Sequence, residues 1–177
     1  MRMRHWKLWS TVLVGAGVLA LSVVHAQQAR APQAMTITAQ DYVDIQLLVS
    51  NYSFTLDTAE NDGYAYADLF TPDGRFGDKI VRREAIAKMV RDGHNNSGWK
   101  YVNNLITNVA IRVTPEGIDG RQNAVAIDVS AHPDVIYHTG HYEDVYAKTA
   151  QGWRFKSRRF VNHSGSPTIP PAGLSAR

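Results

Sequence analysis

The feature that most constrains this chain is a change of texture at Trp99, with helical spacing of apolar residues before it and strand-like alternation after it. Before it, Thr38-Ala39-Gln40-Asp41 has capping-box form, with Asp in place of the usual Glu or Gln. Ile45, Leu48, Val49, Tyr52 and Leu56 then recur at helical spacing and predict an amphipathic first helix. Asp62 to Phe70 predicts a short second helix. Thr71-Pro72-Asp73-Gly74 carries strong turn chemistry, with a short strand from Arg75 to Gly77 behind it. Arg83 to Arg91 predicts a third helix, with Gly93 suited to its C-terminal cap, and His94 to Gly98 a polar loop. After Trp99, Tyr101 to Val113 is β-rich, and Thr114-Pro115-Glu116-Gly117 repeats the turn chemistry. Ala124 to His132, Val135 to Thr149 and Trp153 to Asn162 then read as strands. Helices first and antiparallel strands later imply an α+β domain, with the helices on one face of a curved sheet.

The amino terminus is set apart from that domain. Arg2, Arg4 and Lys7 precede a run from Trp9 to Val24 that only Ser10, Thr11 and Ser22 interrupt, and Val24-His25-Ala26 offers small residues for cleavage. This is the layout of a secretory signal peptide, residues 1–26, and it implies a periplasmic or secreted protein. The alternative is an uncleaved anchor, for which the run falls short of the ~20 residues that span a bilayer. Residues 27–37 read as a flexible lead, 38–163 as the domain and 164–177, with three prolines, as an irregular tail. Residues 1–26 hold three of the 19 Lys+Arg and none of the 16 Asp+Glu, so the rest of the chain is formally neutral. The basic excess belongs to the export signal and does not point to nucleic acid. The absence of cysteine excludes disulfides, thiolate nucleophiles and Cys-ligated zinc. Roughly 150 remaining residues suffice for a core without them.

Several motifs, taken in order, point to a family. Asp44-x-x-x-Leu48-x-x-x-Tyr52-x-x-x-x-Asp57 is followed by Tyr66-Ala67-Asp68-Leu69-Phe70-Thr71-Pro72-Asp73-Gly74-x-Phe76. Later come Thr107-Asn108 leading a strand, Gly140-x-Tyr142-x-Asp144, and Gly152-Trp153-Arg154-Phe155 ahead of Arg158. Over residues 36–163 this set resembles the SnoaL-like proteins of the nuclear-transport-factor-2-like superfamily. The resemblance implies a cone-shaped α+β barrel, with three N-terminal helices packed on a curved, mostly antiparallel sheet enclosing a pocket. The branch it is most similar to includes scytalone dehydratase, the bile-acid 7α-dehydratase and hexachlorocyclohexane dehydrochlorinase. Those enzymes abstract a proton next to a leaving group without a cofactor. Their Tyr falls on Tyr52 and their Asp on Asp57, but the position of their strand His is occupied by Asn104. Asn neither accepts nor releases a proton near neutral pH, so the His–Asp dyad of that branch is absent.

Each candidate has a plainer alternative. Asp57 is either a pocket carboxylate with a raised pKa, fit for base catalysis, or a solvated aspartate at a helix end. Tyr52 either donates to a substrate oxygen or packs in the core, as its place on the apolar stripe suggests. Asn104 either orients a ligand or satisfies backbone at a strand start. Ala124, Ala126, Asp128, Ser130 and His132 share one strand face opposite Val125, Ile127 and Val129, which suits a ligand cavity and equally a solvent face. Asp128 matches a catalytic polar position of the dehydratases approximately. His132 is a possible replacement for the missing His, though Pro133 puts it at a strand end. Tyr142, Asp144 and Tyr146 share the face of His138 and Gly140, which by the resemblance meets the pocket. Arg158 matches a pocket arginine of the dehydrochlorinase, or is a surface base beside Lys156 and Arg159.

His138 and His141 lie on opposite strand faces, so no metal site is expected. Glycine loops for phosphate, dinucleotide fingerprints and G-x-S-x-G elbows are also missing, so no cofactor is expected. The expectation is an exported, homo-oligomeric (dimeric or trimeric) protein with a pocket for a small organic molecule. It has no nucleic-acid partner and no membrane association after signal cleavage. Its activity is that of a cofactor-independent lyase or isomerase; the alternative is a non-catalytic binding protein on the same fold, which the loss of the strand His favours.

Overall fold

A computed structural model describes residues 36–163. The signal segment 1–26, nearly all of the lead and the tail 164–177 lie outside the described residues. No helix among the described residues is long and apolar enough to cross a membrane.

Helix α1 (Ala39–Thr58) starts at the expected capping box: Thr38 Oγ1 accepts from the Asp41 backbone N–H and Asp41 Oδ2 accepts from the Thr38 N–H, each at 3.1 Å. Asp41 Oδ1 also accepts from Lys148 Nζ at 2.6 Å and Trp153 Nε1 at 3.0 Å. The cap therefore fastens the helix to the far end of the sheet. These donors hold the Asp41 carboxyl far below the usual carboxylate range, the Lys148 bond being the largest cause. Ile45, Leu48, Val49 and Tyr52 are buried, as their spacing predicts.

A tight 3-10 segment (Glu60–Gly63) leads to α2 (Tyr64–Ala67), far shorter than the predicted 62–70 helix. Asn61 and Asp62, with φ of 52° and 58°, break the helical path. Strand β1 (Phe70–Phe76) then runs through the Thr71–Gly74 turn signal. It pairs in parallel with β6 (Gly152–Asn162), where Phe70 faces Phe155 and Arg75 faces Ser157. The residues between them bulge out of the ladder, which is where a Pro without an N–H can be tolerated in a strand.

After β2 (Ile80–Val81), α3 (Arg82–Asn96) continues through Gly93 instead of ending there. A Cβ at Gly93 would fall 2.2 Å from the Trp99 ring, so the glycine serves a close ring contact and not a cap. Strand β3 (Val102–Thr114) pairs with β4 (Gly117–Asp128), which pairs with β5 (Val135–Thr149), which pairs with β6, all antiparallel. Thr107-Asn108 does not lead a strand. It forms a bulge inside β3, with Asn108 at φ 54° and the register slipping between Thr107 and Ala110. β4 ends at Asp128, short of His132.

The sheet order is β2-β1-β6-β5-β4-β3. This corrects the expectation of a cone-shaped barrel: the sheet is mixed and open, neither closed nor strongly curled, with β2 and β3 as its edges. Closure would need β3 to bond to the β1–β2 end. Instead α1 packs against β3 and β6, and α3 against β1 and β2. The α+β class and the helices on one face hold. The core lies between them, with Tyr52, Tyr66, Ile86 and Val90 meeting Ile118, Ala124, Tyr142 and Phe155.

Candidate functional site

On β5 the face toward the helices carries His138, Gly140, Tyr142, Asp144 and Tyr146, as strand alternation requires. Gly140 is needed there, because a Cβ would fall 2.4 Å from both the Phe160 ring and the Val161 carbonyl oxygen. The Phe160 ring thus lies against β5, 5.1 Å from the Tyr142 ring and 4.9 Å from that of His138. Beside it opens a cavity of about 180 Å³. Leu56, Tyr66, Phe76, Met89, Trp99, Val102 and Phe160 make its apolar wall, and Asn104, His138 and Tyr142 bring polar groups. The volume is below the ~300–1,000 Å³ of sites for drug-sized ligands, so it suits a smaller molecule.

Asn104, near the start of β3, ties this cavity to Asp57 in the last turn of α1. Its backbone N–H donates to Asp57 Oδ2 at 2.9 Å and its side-chain Nδ2 to Oδ1 at 2.5 Å. Asp57 is half-buried and faces an open groove between α1 and β3, of about 800 Å³, which Asn104 shares; Asp57 is not in the cavity wall. Burial pushes its pKa up, against the lowering effect of the Asn104 donors and of His94. His94 is itself anchored through Nε2 to the Leu56 carbonyl oxygen at 2.7 Å.

Tyr52 is fully buried and also absent from the cavity wall. Its hydroxyl makes a short hydrogen bond with that of Tyr142, and burial pushes the pKa of both phenols up. Both rings lie on the guanidinium of Arg158, 4.0 Å and 4.3 Å from its central carbon. Arg158 is no surface base: its side chain is wholly buried and grips Asp144 through two hydrogen bonds of 2.9 Å. Tyr146 Oη donates to Asp144 at 3.1 Å and Gln122 Nε2 at 2.5 Å. Asp144 and Arg158 therefore form a polar core below the aromatic layer instead of lining the cavity.

Two candidates lie elsewhere. Asp128 closes the end of β4, accepting from the Ser130 N–H at 2.8 Å and Ser130 Oγ at 2.6 Å, and these bonds hold its pKa down. His132 is exposed in the loop beyond. The small face of Ala124 and Ala126 is nevertheless the inner, buried face of β4.

His138, placed by strand alternation on the pocket face but weighed as a side chain only for metal binding, is in the cavity wall. The signal was its even spacing from Tyr142 on one strand. Burial pushes its pKa down. Among the described residues no group of three or more His, Asp or Glu side chains is placed to hold a metal ion.

The SnoaL-like domain family matches residues 38–159. A structurally similar protein of unknown function from Mycobacterium tuberculosis is 27% identical, with a TM-score of 0.60, covering 70% of this chain and 72% of that one. A nuclear-transport-factor-2-like protein with a cystatin-like fold from Novosphingobium aromaticivorans is 19% identical, with a TM-score of 0.64, covering 72% and 85%. A candidate scytalone dehydratase from the same organism is 22% identical, with a TM-score of 0.56, covering 70% and 84%. No curated protein matches the chain. With the family model matched across most of its length, the chain belongs to the SnoaL-like domain family.

Proposed function

We propose that the 180 Å³ cavity receives a small, largely apolar organic molecule, and that the chain acts on it as a cofactor-independent lyase or isomerase by moving a proton. The make-up of the wall carries this reading: apolar and aromatic groups on most sides, with Asn104, His138 and Tyr142 contributed from two strands. Asp57 accepts from the backbone N–H and from the side-chain Nδ2 of Asn104 and so fixes the amide, whose oxygen is left for a ligand donor. Tyr142, held by Tyr52, offers a hydroxyl to a carbonyl or leaving oxygen. The likeness to a candidate scytalone dehydratase supports an elimination or enolisation.

The test uses Trp99 as reporter. Small cyclic ketones and phenols are titrated while its fluorescence is followed, and deuterium exchange next to the ketone carbonyl is read by NMR. Binding and exchange are both expected, and Met89→Trp, which fills the cavity, should abolish both. Binding without exchange would leave the second reading, a non-catalytic binding protein. One observation favours that alternative: both oxygens of Asp57 are engaged by Asn104, so this carboxylate does not itself reach the cavity.

Export with cleavage after Ala26 is part of the proposal, supported by the basic start and apolar run. A secreted or periplasmic mass starting at Gln27 is expected, and an intact Met1 in the soluble fraction would overturn it. Exposed Leu47 and Phe54 on α1 and Leu105 on β3 support a homo-oligomer, which light scattering tests.

A further inference from the structure

Asn104 stands where the resemblance places an imidazole, yet the cavity still contains an imidazole two strands away. Asn104 is opposite Ala126 on β4, and Ala126 is opposite His138 on β5. The three residues form one row across the inner face, with Asn104 and His138 roughly 10 Å apart at Cα, two strand spacings. Ala126, fully buried, leaves only a methyl group between them. Both outer members of the row line the cavity.

We propose that His138 is the proton acceptor of this cavity, an imidazole working without a carboxylate partner, across from the Asn104–Asp57 clamp. The proposal rests on the lyase or isomerase reading above and names its base. Three observations carry it. First, the ring of His138 is fixed by packing alone, against Phe160 at 4.9 Å and Tyr137 at 5.2 Å between centroids. Second, no other described residue hydrogen-bonds to its ring nitrogens, so neither is engaged within the described residues. Third, every other lining group is apolar, an amide, an indole or a phenol. The titratable groups that face the cavity with it are Tyr66 from α2 and Tyr137 and Tyr142 from β5. Leu56 of α1, Met89 of α3, Phe76 of β1, Val102 and Asn104 of β3 and Phe160 of β6 bring no charge. Asp57 acts only through Asn104.

In the step itself, the imidazole lone pair takes a proton from carbon. The C–H electron pair becomes a new π bond to the adjacent carbon. In an elimination the leaving group departs with its own bonding pair and is protonated by the imidazolium. In an isomerisation a carbonyl oxygen receives the displaced pair, and the proton returns at another carbon. Neither route needs an oxidant or a cofactor. The unpaired site also fixes the pH behaviour: burial in an apolar wall favours the neutral, basic ring, so activity should extend below the ordinary histidine value of 6.5.

The probe is nitrobenzisoxazole, a small planar molecule from which a base removes a ring C–H proton as the N–O bond breaks, giving a nitrile and a coloured phenolate. Trp99 quenching measures its binding independently of turnover. Above the buffer-catalysed rate, turnover should rise with pH through one ionisation below 6.5. His138→Gln should lose about 10²-fold or more in rate while the probe still quenches Trp99. His138→Ala should regain rate with added imidazole, which a packing role would not allow. Exposed His132→Gln should change neither rate nor profile. Rate retained in His138→Gln, no imidazole rescue, or bound probe with no wild-type rate would each overturn the assignment. Absence of quenching in the wild type would instead overturn the cavity reading on which it rests.

Discussion

Arg158 and Asp144 sit opposite each other on β6 and β5 and meet in a two-point ion pair in which neither side chain has any exposed surface. The pair lies under the hydrogen-bonded rings of Tyr52 and Tyr142, with Phe155 on another side of the guanidinium at 4.1 Å. A charge this deep is tolerated only while its partner is present, and Asp144 and the surrounding rings keep Arg158 charged far above any working pH.

Removing one partner should therefore cost much more than removing both. Asp144→Ala is expected to destabilise the fold by about 3–5 kcal/mol, because it strands the guanidinium. The double change Asp144→Leu with Arg158→Met should cost clearly less than the sum of the singles. Urea denaturation of the three variants checks this; additive losses would mean that the pair is not coupled.

The tyrosine pair above it separates a core role from a chemical one. Tyr52→Phe leaves the Tyr142 hydroxyl without its partner and should cost about 1–3 kcal/mol. Adding Tyr142→Phe should recover part of that loss, since two apolar rings leave no orphan. A double-mutant cycle in urea measures the coupling, and a cycle that closes at zero would contradict the hydrogen bond.

Asp57 makes stability fall as pH rises. Its folded pKa lies above the reference value of 3.8, so the folded state binds the proton more tightly than the unfolded chain does. Its contribution is fully favourable only below 3.8 and is lost as pH climbs through the folded pKa. Asp57→Asn should remove this component, flattening the decline in stability above 3.8 relative to wild type. Paired denaturant titrations at a series of pH values check it; a steeper decline in the variant would reverse the sign and refute the burial argument.

Asn104→His should rebuild an imidazole–carboxylate pair, because its ring N–H can take the place of the amide donor at Asp57 Oδ1. The introduced ring is expected to titrate above 6.5 and His138 below it, two separate midpoints in an NMR titration. The stabilisation from the new pair should be present below the unfolded histidine value and lost as pH rises through the folded one. A single shared midpoint would contradict the different surroundings of the two positions.

What the sequence made legible is what short-range chemistry decides. The capping box and the apolar stripe of α1 depend on residues three or four apart, and both were readable. Pro72-Asp73-Gly74 misled because turn chemistry and a strand bulge use the same residues, and only the pairing partner, β6, distinguishes them. The expected curl failed for a similar reason: whether β3 meets β1 is decided by the helices packed between them. In the site, the Asp57–Asn104 contact joins residues 47 positions apart and was anticipated only through the family resemblance. The alternation of β5 put His138 on the pocket face, but the apolar wall around it comes from Leu56, Met89, Trp99 and Phe160 on other elements, which no local pattern brings together.

The open sheet leaves β3 with an outer edge of backbone donors and acceptors along Val102–Thr114, flanked by exposed Leu105 and Val113. Such an edge is a template on which a foreign strand can add, and a long straight one invites stacking into fibrils. The bulge at Asn108 interrupts it: the left-handed residue turns the backbone and slips the register, so no uninterrupted ladder can form along the whole strand. The same kink that a sequence motif announced as the beginning of a strand is thus its safeguard against polymerisation, and straightening it should expose the protein to self-association.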